Sequence, residues 1–252
     1  MRFSVFSLAF VSAFALLSGC STSDKAIEPS PSIPESFWRF DGSTSFLQVP
    51  ASGAPNLGAA DFTVEAWFKT DTLGIRWDLF DWKDSMGAQG SLRNDLAIYY
   101  NGARILAYAA VEDYTKSEVG LTLTGTGIWH HVALARRGNF LDVLLDTTMT
   151  STSYPGKVNP AGPFRIGSNR ANSGTSESGA SYPFKGVVSD VRIYSRALSL
   201  VEFKANQRMA SVPPTGLLRR WKLSEATGTV AVEDVGGNNA VAKGVVIHTM
   251  NP

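Results

Sequence analysis

From Phe37 onward the chain is a succession of short runs of β-branched and aromatic residues separated by Gly, Asn, Asp and Pro, a pattern that dictates strands joined by turns. Phe62 to Phe68 (FTVEAWF) is the clearest run. Phe62, Val64, Ala66 and Phe68 fall on one face, and Thr63, Glu65, Trp67 and Lys69 on the other, which is the period of two expected of a strand. Leu141, Val143 and Leu145 alternate with Asp142, Leu144 and Asp146 in the same way. Further strand candidates span 45–49, 77–82, 95–100, 104–110, 129–136, 163–167, 185–194, 217–223 and 240–247. Asn101-Gly102, between two of these runs, predicts a two-residue hairpin turn whose central residues need positive φ. One short helix is expected after Ser199, because Ser199-Leu-Val-Glu202 is a capping box in which hydroxyl and carboxylate each satisfy an orphan amide. So many strands at this spacing predict an all-β protein, a two-sheet sandwich or jelly roll.

With 252 residues, 44% of them hydrophobic and 18% charged, the chain has enough apolar material for one large domain or two small ones and is not disordered over most of its length. Lys and Arg number 23 against 22 Asp and Glu, so there is no basic excess, and nucleic acid is not expected as a partner. The single cysteine excludes an internal disulfide, a CxxC redox pair and a cysteine-rich zinc site. His130 and His131 are adjacent on a predicted strand, so they face opposite sides and do not share a metal; a hydrogen-bonded structural role is expected for His131.

The N-terminus reads as an address. Met1 and Arg2 precede an uncharged run from Phe3 to Leu17, which is too short for a permanent span. Leu17-Ser18-Gly19-Cys20 follows and resembles the bacterial lipobox. The resemblance implies cleavage after residue 19 and acylation of Cys20, with attachment by more than one chain. Ser21 after the cysteine resembles the sorting pattern of outer-membrane lipoproteins, so the expected location is the bacterial cell envelope, at the outer membrane in a Gram-negative host. Residues 20–36 carry Pro29, Pro31 and Pro34 and read as an extended tether. Residues 37–252 then form the folded domain.

Five motifs within Phe37 to Arg208 carry a resemblance to a known family. They are Phe40-Asp-Gly-Ser-Thr-Ser-Phe-Leu-Gln-Val49, Asp61-Phe-Thr-Val-Glu-Ala-Trp67, Trp129-His-His-Val-Ala133, Phe164-Arg-Ile-Gly167 and the run from Phe184 to Ser199. Their order resembles that of laminin-G-like domains of the concanavalin-A-like lectin/glucanase superfamily, which implies a jelly-roll sandwich of two antiparallel sheets. The segment 217–249, with Trp221, Asp234 and Gly236-Gly-Asn-Asn239, resembles the part with which such domains usually begin, yet here it comes last. Circular permutation is the expected explanation, with this segment pairing beside the N-terminal strands. A truncated second repeat and a segment swapped between two molecules are the alternatives.

The paired-carboxylate pattern of the family's glucanases, Glu-x-Asp-x-x-Glu, is absent. The adjacent pairs Glu112-Asp113 and Glu233-Asp234 point to opposite faces of a strand and are expected to be solvated turn residues. No enzymatic activity is therefore expected; a divergent glycoside hydrolase would need two carboxylates to converge from different strands. No cofactor is assigned. Calcium is a candidate by resemblance to relatives that hold it with loop oxygens, but Asp78, Asp81 and Asp84 do not form an evident set, since Asp81 faces away from Asp78 on a regular strand. Ser189 stands where relatives often place an Asp, and Asp146-Thr147 replaces the usual Asp-Gly turn. The expected partner is a glycan or an envelope or extracellular protein, with the membrane reached through the lipid. Trp77, Trp82, Tyr99, Tyr100, Tyr114 and Tyr182 are the aromatic candidates for stacking on sugar rings, and any one of them is otherwise a core residue. The polar loop from Ser168 to Pro183 is the candidate for hydrogen bonding to the ligand. Trp67 and Trp129 are assigned to structure.

Overall fold

The computed structural model describes residues 34–57, 60–84, 94–111, 115–170, 179–207 and 215–250. The signal segment, Cys20, most of the tether, Glu112-Asp113, Tyr114 and positions 171–178 of the polar loop lie outside the described residues. Among the described residues, two eight-stranded antiparallel sheets pack face to face. In spatial order the first contains β10 (Thr148–Ser153), β9 (Phe140–Leu145), β8 (His130–Arg137), β3 (Phe62–Thr70), β14 (Lys185–Tyr194), β1 (Ser36–Asp41) and β18 (Ile247–Met250), with β15 (Leu217–Trp221) also on β14. The second runs β16 (Val230–Ala231), β17 (Ala240–Lys243), β2 (Phe46–Val49), β11 (Phe164–Ile166), β4 (Trp77–Lys83), β5 (Asp95–Asn101), β6 (Arg104–Ala110) and β7 (Lys116–Thr122). A two-stranded ribbon, β12 (Asn169–Arg170) and β13 (Ala180–Ser181), and one helix, α1 (Leu200–Asn206), complete the fold.

The alternation predicted for β3 is observed. Phe62, Val64, Ala66 and Phe68 enter the core between the sheets, where they meet Leu134, Val143, Val188 and Ile193 from the same sheet and Phe80, Trp82 and Ile98 from the other. The opposite face of β3 is buried as well, because α1 lies over it. The α1 side chain of Phe203 stacks on the His131 ring (4.1 Å, 6°), and Trp67 stacks beside that ring (5.1 Å, 22°). The Ser199–Glu202 capping box forms as expected. Beyond β12, β13 and β16, of two residues each, and β18, which meets the predicted set only at Ile247, the strands outside that set are β1, β7 and β10. The last two are polar edge strands (KSEVGLT and TMTSTS), a composition that blunts a sheet edge and hides the strand signal.

The C-terminal segment sits beside the N-terminal strands. The strand β18 pairs with β1, β17 with β2, and β15 with β14. Two chain ends thus share one edge of β14, with β1 along Lys185–Val188 and β15 along Val191–Tyr194. At the junction the Ser189 hydroxyl donates to the Ser36 carbonyl (2.8 Å), and β14 bulges with Asp190 at φ 48°. The Asp190 carboxylate accepts from Arg192 Nε (3.0 Å) and from Arg220 Nε (2.7 Å) of β15. Arg192 also reaches Glu65 Oε1 (2.9 Å), which accepts from Asn206 of α1 (2.9 Å), while His131 approaches the other Glu65 oxygen at 3.4 Å. Glu233, expected to be solvated, is instead buried: its carboxylate accepts from the amides of Arg220, Val235, Gly236 and Asn238, and so folds the connection to β17.

The hairpin between β5 and β6 forms one residue later than expected. Asn101 pairs with Arg104, so Gly102 (φ 56°) and Ala103 (φ 70°) are the central residues. The left-handed region costs a residue with a Cβ about 1 kcal/mol. Ala103→Gly is therefore expected to raise Tm by about 2 to 4 °C in a thermal melt. Arg192→Met removes the partner of two buried carboxylates and is expected to cost about 3 to 5 kcal/mol in denaturant unfolding, measured at neutral pH.

Candidate functional site

A bulge in β4 builds the polar face of the second sheet. Asp78 pairs with Tyr99 and Phe80 with Ile98, leaving Leu79 as the extra residue. Leu79 and Phe80 both enter the core, and Asp78, Asp81 and Lys83 all face outward. The expectation that Asp81 faces away from Asp78 is corrected by this one-residue insertion, which reverses the parity between them. On β5 the outward set is Asp95, Ala97 and Tyr99, and on β6 it is Leu106 and Tyr108.

The β12–β13 ribbon lies over β4 and is bound to it by side chains. Asn169 Nδ2 donates to Asp78 Oδ2 (2.7 Å), the Arg170 amide to Asp81 Oδ2 (2.9 Å), and the Asp78 amide to the Tyr182 carbonyl (2.9 Å). Beside the ribbon opens a cleft of about 440 Å³. It is lined by Arg76, by Lys83, Asp95, Ala97, Tyr99 and Tyr108 of the sheet, and by Asn169, Ser181 and Tyr182 of the ribbon and the residue after it. Tyr182 is held at φ 49° and is 46% exposed. Its ring lies 4.1 Å from the Arg76 guanidinium, which also packs on Tyr99 at 4.4 Å, so the arginine is clamped between two phenols. Arg76 is further fixed by two bonds to Asp78, from Nε (3.1 Å) and Nη2 (3.3 Å). The Tyr99 hydroxyl donates to Glu118.

Burial raises the carboxyls under this cleft. Asp78 is pushed up to about 6, burial outweighing the bonds from Arg76 and Asn169. Asp95 is pushed up to about 7 by burial and then by the neighbouring charges of Asp81 and Asp78. Asp81 is likewise raised by burial, against the pull of Lys83 at 3.3 Å. One Asp95 oxygen, Oδ1, is shielded from solvent without a hydrogen-bond partner.

Of the aromatic candidates, Tyr99 and Tyr182 reach the cleft. Trp77, Trp82 and Tyr100 do not, and their expected contact with ligand is corrected: all three are buried in the core. Trp77 stacks on Tyr100 (5.2 Å, 15°) and donates its indole N–H to Thr72, and Trp82 donates to Gly162. The site residues that sequence reasoning did not name are Arg76, Lys83, Asp95 and Tyr108. The parity of β5 and β6 could have found Asp95 and Tyr108, since both lie opposite the apolar face. Asp81 and Asp95 do converge from adjacent strands, but Asp81 is fully buried and bound to Lys83 and Arg170, so among the described residues Asp95 is the one acid that lines the cleft. General acid–base work on a glycosidic bond calls for two. The described residues do not fit calcium either. Asp78 and Asp81 are committed to cations and amides, Asp84 turns away to accept from Asn94 and Ala161, and no group of three or more His, Cys, Asp or Glu among the described residues is placed to hold a metal ion.

No curated protein matches the chain by sequence. Among solved structures, a provisionally described carbohydrate binding protein from Bacteroides ovatus ATCC 8483 is 20% identical with a TM-score of 0.62; the match covers 87% of this chain and 61% of that one. This chain therefore spans less than two thirds of that protein. A native heptameric SAP-like pentraxin from Limulus polyphemus is 13% identical (TM-score 0.58, 88% and 98% covered). The CBM40 of a Ruminococcus gnavus IT-sialidase is also 13% identical (TM-score 0.52, 67% and 95% covered). At these identities the likeness is one of fold. The family model of the concanavalin A-like lectin/glucanases superfamily matches residues 41–204, well over half of the sequence, and the chain belongs to that family.

Proposed function

We propose that this chain is a non-catalytic recognition module, tethered by a lipid in the bacterial cell envelope, that binds carbohydrate in the cleft between β4–β6 and the β12–β13 ribbon. The observation that carries this is Tyr182. A tyrosine kept in left-handed backbone geometry carries a conformational cost, and here that geometry holds a half-exposed ring on Arg76 in the lining of a polar cleft, a placement that favours recognition. Its outer ring face suits the apolar side of a pyranose, and the hydroxyls and charged groups behind it suit sugar hydroxyls. The carbohydrate-binding descriptions of the Bacteroides ovatus protein and of the sialidase CBM40 support the same reading.

The tether supports presentation at a surface. Its 16 residues after Cys20 reach at most about 50 Å at polyproline-II rise, enough to hold the domain clear of a bilayer.

In a screen of immobilised glycans and polysaccharides, the full chain is expected to be retained. Tyr182→Ala is expected to weaken retention at least tenfold, about 1.4 kcal/mol, without lowering Tm. Undiminished binding by the variant would remove the cleft from consideration, and absence of binding to every polymer would remove the carbohydrate reading. Growth with an alkyne-bearing fatty acid is expected to label the wild-type protein and not Cys20→Ser, which should leave the membrane fraction; equal labelling of both would refute the anchor.

A further inference from the structure

We propose that the cleft takes an acidic sugar, one that carries a carboxylate, and holds that carboxylate between Arg76 and Lys83. This rests on the carbohydrate reading above and narrows it. The charges are layered. Arg76 and Lys83 both line the cleft, Arg76 with a third of its side chain exposed and Lys83 buried at its base, whereas the acids that pair with them, Asp78 and Asp81, are fully buried and do not line it. Of these paired charges a ligand therefore meets Arg76 first and Lys83 beneath it.

Arg76 spends Nε and Nη2 on Asp78, which leaves its Nη1 donors, and the rings of Tyr99 and Tyr182 fix the plane in which they point. Lys83 donates to Asn169 and contacts Asp81, two uses of an ammonium that has three N–H bonds. The hydroxyls of Tyr108, Ser181 and Tyr182 add further donors to the lining. Guanidinium and ammonium donors in a partly desolvated cleft favour a charged acceptor over a neutral hydroxyl, because charge-assisted bonds are about twice as strong.

Asp95 is the acid that opposes this. It is faced by Asp78, Asp81 and Lys83 from β4, by Tyr108 from β6 and by Arg170 from β12. Because it titrates near 7 in these surroundings, it is neutral in mildly acid solution and adds a negative charge to the cleft as pH rises. The ligand's own carboxyl, with an ordinary pKa of roughly 3.5, stays ionised throughout. Binding of an acidic sugar is thus stronger at pH 6 than at pH 8, declining as pH rises through about 7.

The test is titration calorimetry of the full chain at 150 mM salt with oligogalacturonate, hyaluronate oligosaccharide and 3′-sialyllactose, each against its carboxyl-reduced, neutral counterpart. At least one acid is expected to bind tenfold or more tighter than its neutral form, and its affinity is expected to fall severalfold from pH 6 to pH 8. Arg76→Gln should abolish the preference. Asp95→Asn, nearly isosteric, should keep the preference and flatten the pH profile, which holds even where the arginine variant does not fold. Binding of neutral glycans with equal or greater affinity, or an affinity for the acid that rises with pH, overturns the acidic-sugar assignment and leaves the carbohydrate reading standing. Absence of binding to acidic and neutral glycans alike overturns both.

Discussion

The buried carboxylate of Asp190 is where the two ends of the chain are joined. It sits at a left-handed bulge in β14, at the point where β1 stops and β15 begins along the same edge. Buried ions cost several kcal/mol each unless matched. Here two acids, Glu65 and Asp190, meet two guanidinium groups, Arg192 and Arg220, in one connected chain. Each charge is answered by another from a different element, so β3, β14 and β15 are registered against one another. Asn206 of α1 bonds to the same Glu65, and the helix is thereby locked over the outer face. A displaced β15 would leave Asp190 short of a partner and β14 with half an edge unpaired.

This junction reaches the cleft through the second sheet. The C-terminal segment that β15 begins returns as β17 against β2, and β2 in turn flanks β11, which flanks β4. Glu233 fixes the turn that makes the return possible by gathering four backbone amides. The strand that carries Asp78 and Asp81 is therefore central in its sheet, and its outer face is a floor supported from both sides.

How much of this was legible in the sequence depends on parity. Where a strand is regular, as in β3 and β9, alternation identifies the core face residue by residue, and the five family motifs give the sandwich. The pairing of the C-terminal segment beside the N-terminal strands was legible because Trp221 and the Gly-Gly-Asn-Asn turn resemble an opening segment. Where one residue is inserted, the same rule inverts. The Leu79 bulge turns Asp78 and Asp81 to the same side, and nothing in RWDLFDWK distinguishes a bulged strand from a regular one. The aromatic rule failed at Trp77, Trp82 and Tyr100 for a related reason: large rings satisfy a sandwich core as well as they satisfy a sugar, and only their position against neighbouring strands separates the two. Tyr99 and Tyr182, named by the same aromatic rule, differ in that they stand on the polar side and line the cleft. Asp95 was missed because, although the parity of β5 turns it outward, nothing in the sequence marks that outward face as a site, and its altered chemistry comes from burial and from Asp81 and Asp78 on the adjacent strand.

The cleft's electrostatics follow from these same parities. A regular β4 would have placed Asp81 and Lys83 in the core, where neither charge could be solvated, and Arg76 would have kept only Asp78. The bulge gives instead a face on which Arg76 is partly exposed, Lys83 lines the cleft from a buried position, and their counter-ions are fully buried. In such an arrangement the buried acids hold Arg76 and Lys83 in fixed positions, because moving either cation would strand a carboxylate below it. Preorganised donors of this kind lose little freedom when a ligand arrives, so more of the interaction appears as affinity. The same pairing withdraws Asp78 and Asp81 from proton transfer, since each is held by a cation and by bonds from the ribbon. A face whose acids anchor cations fits the recognition role proposed above, and in that proposal Asp95, among the described residues the one acid that lines the cleft, tunes the strength with which the ligand is held.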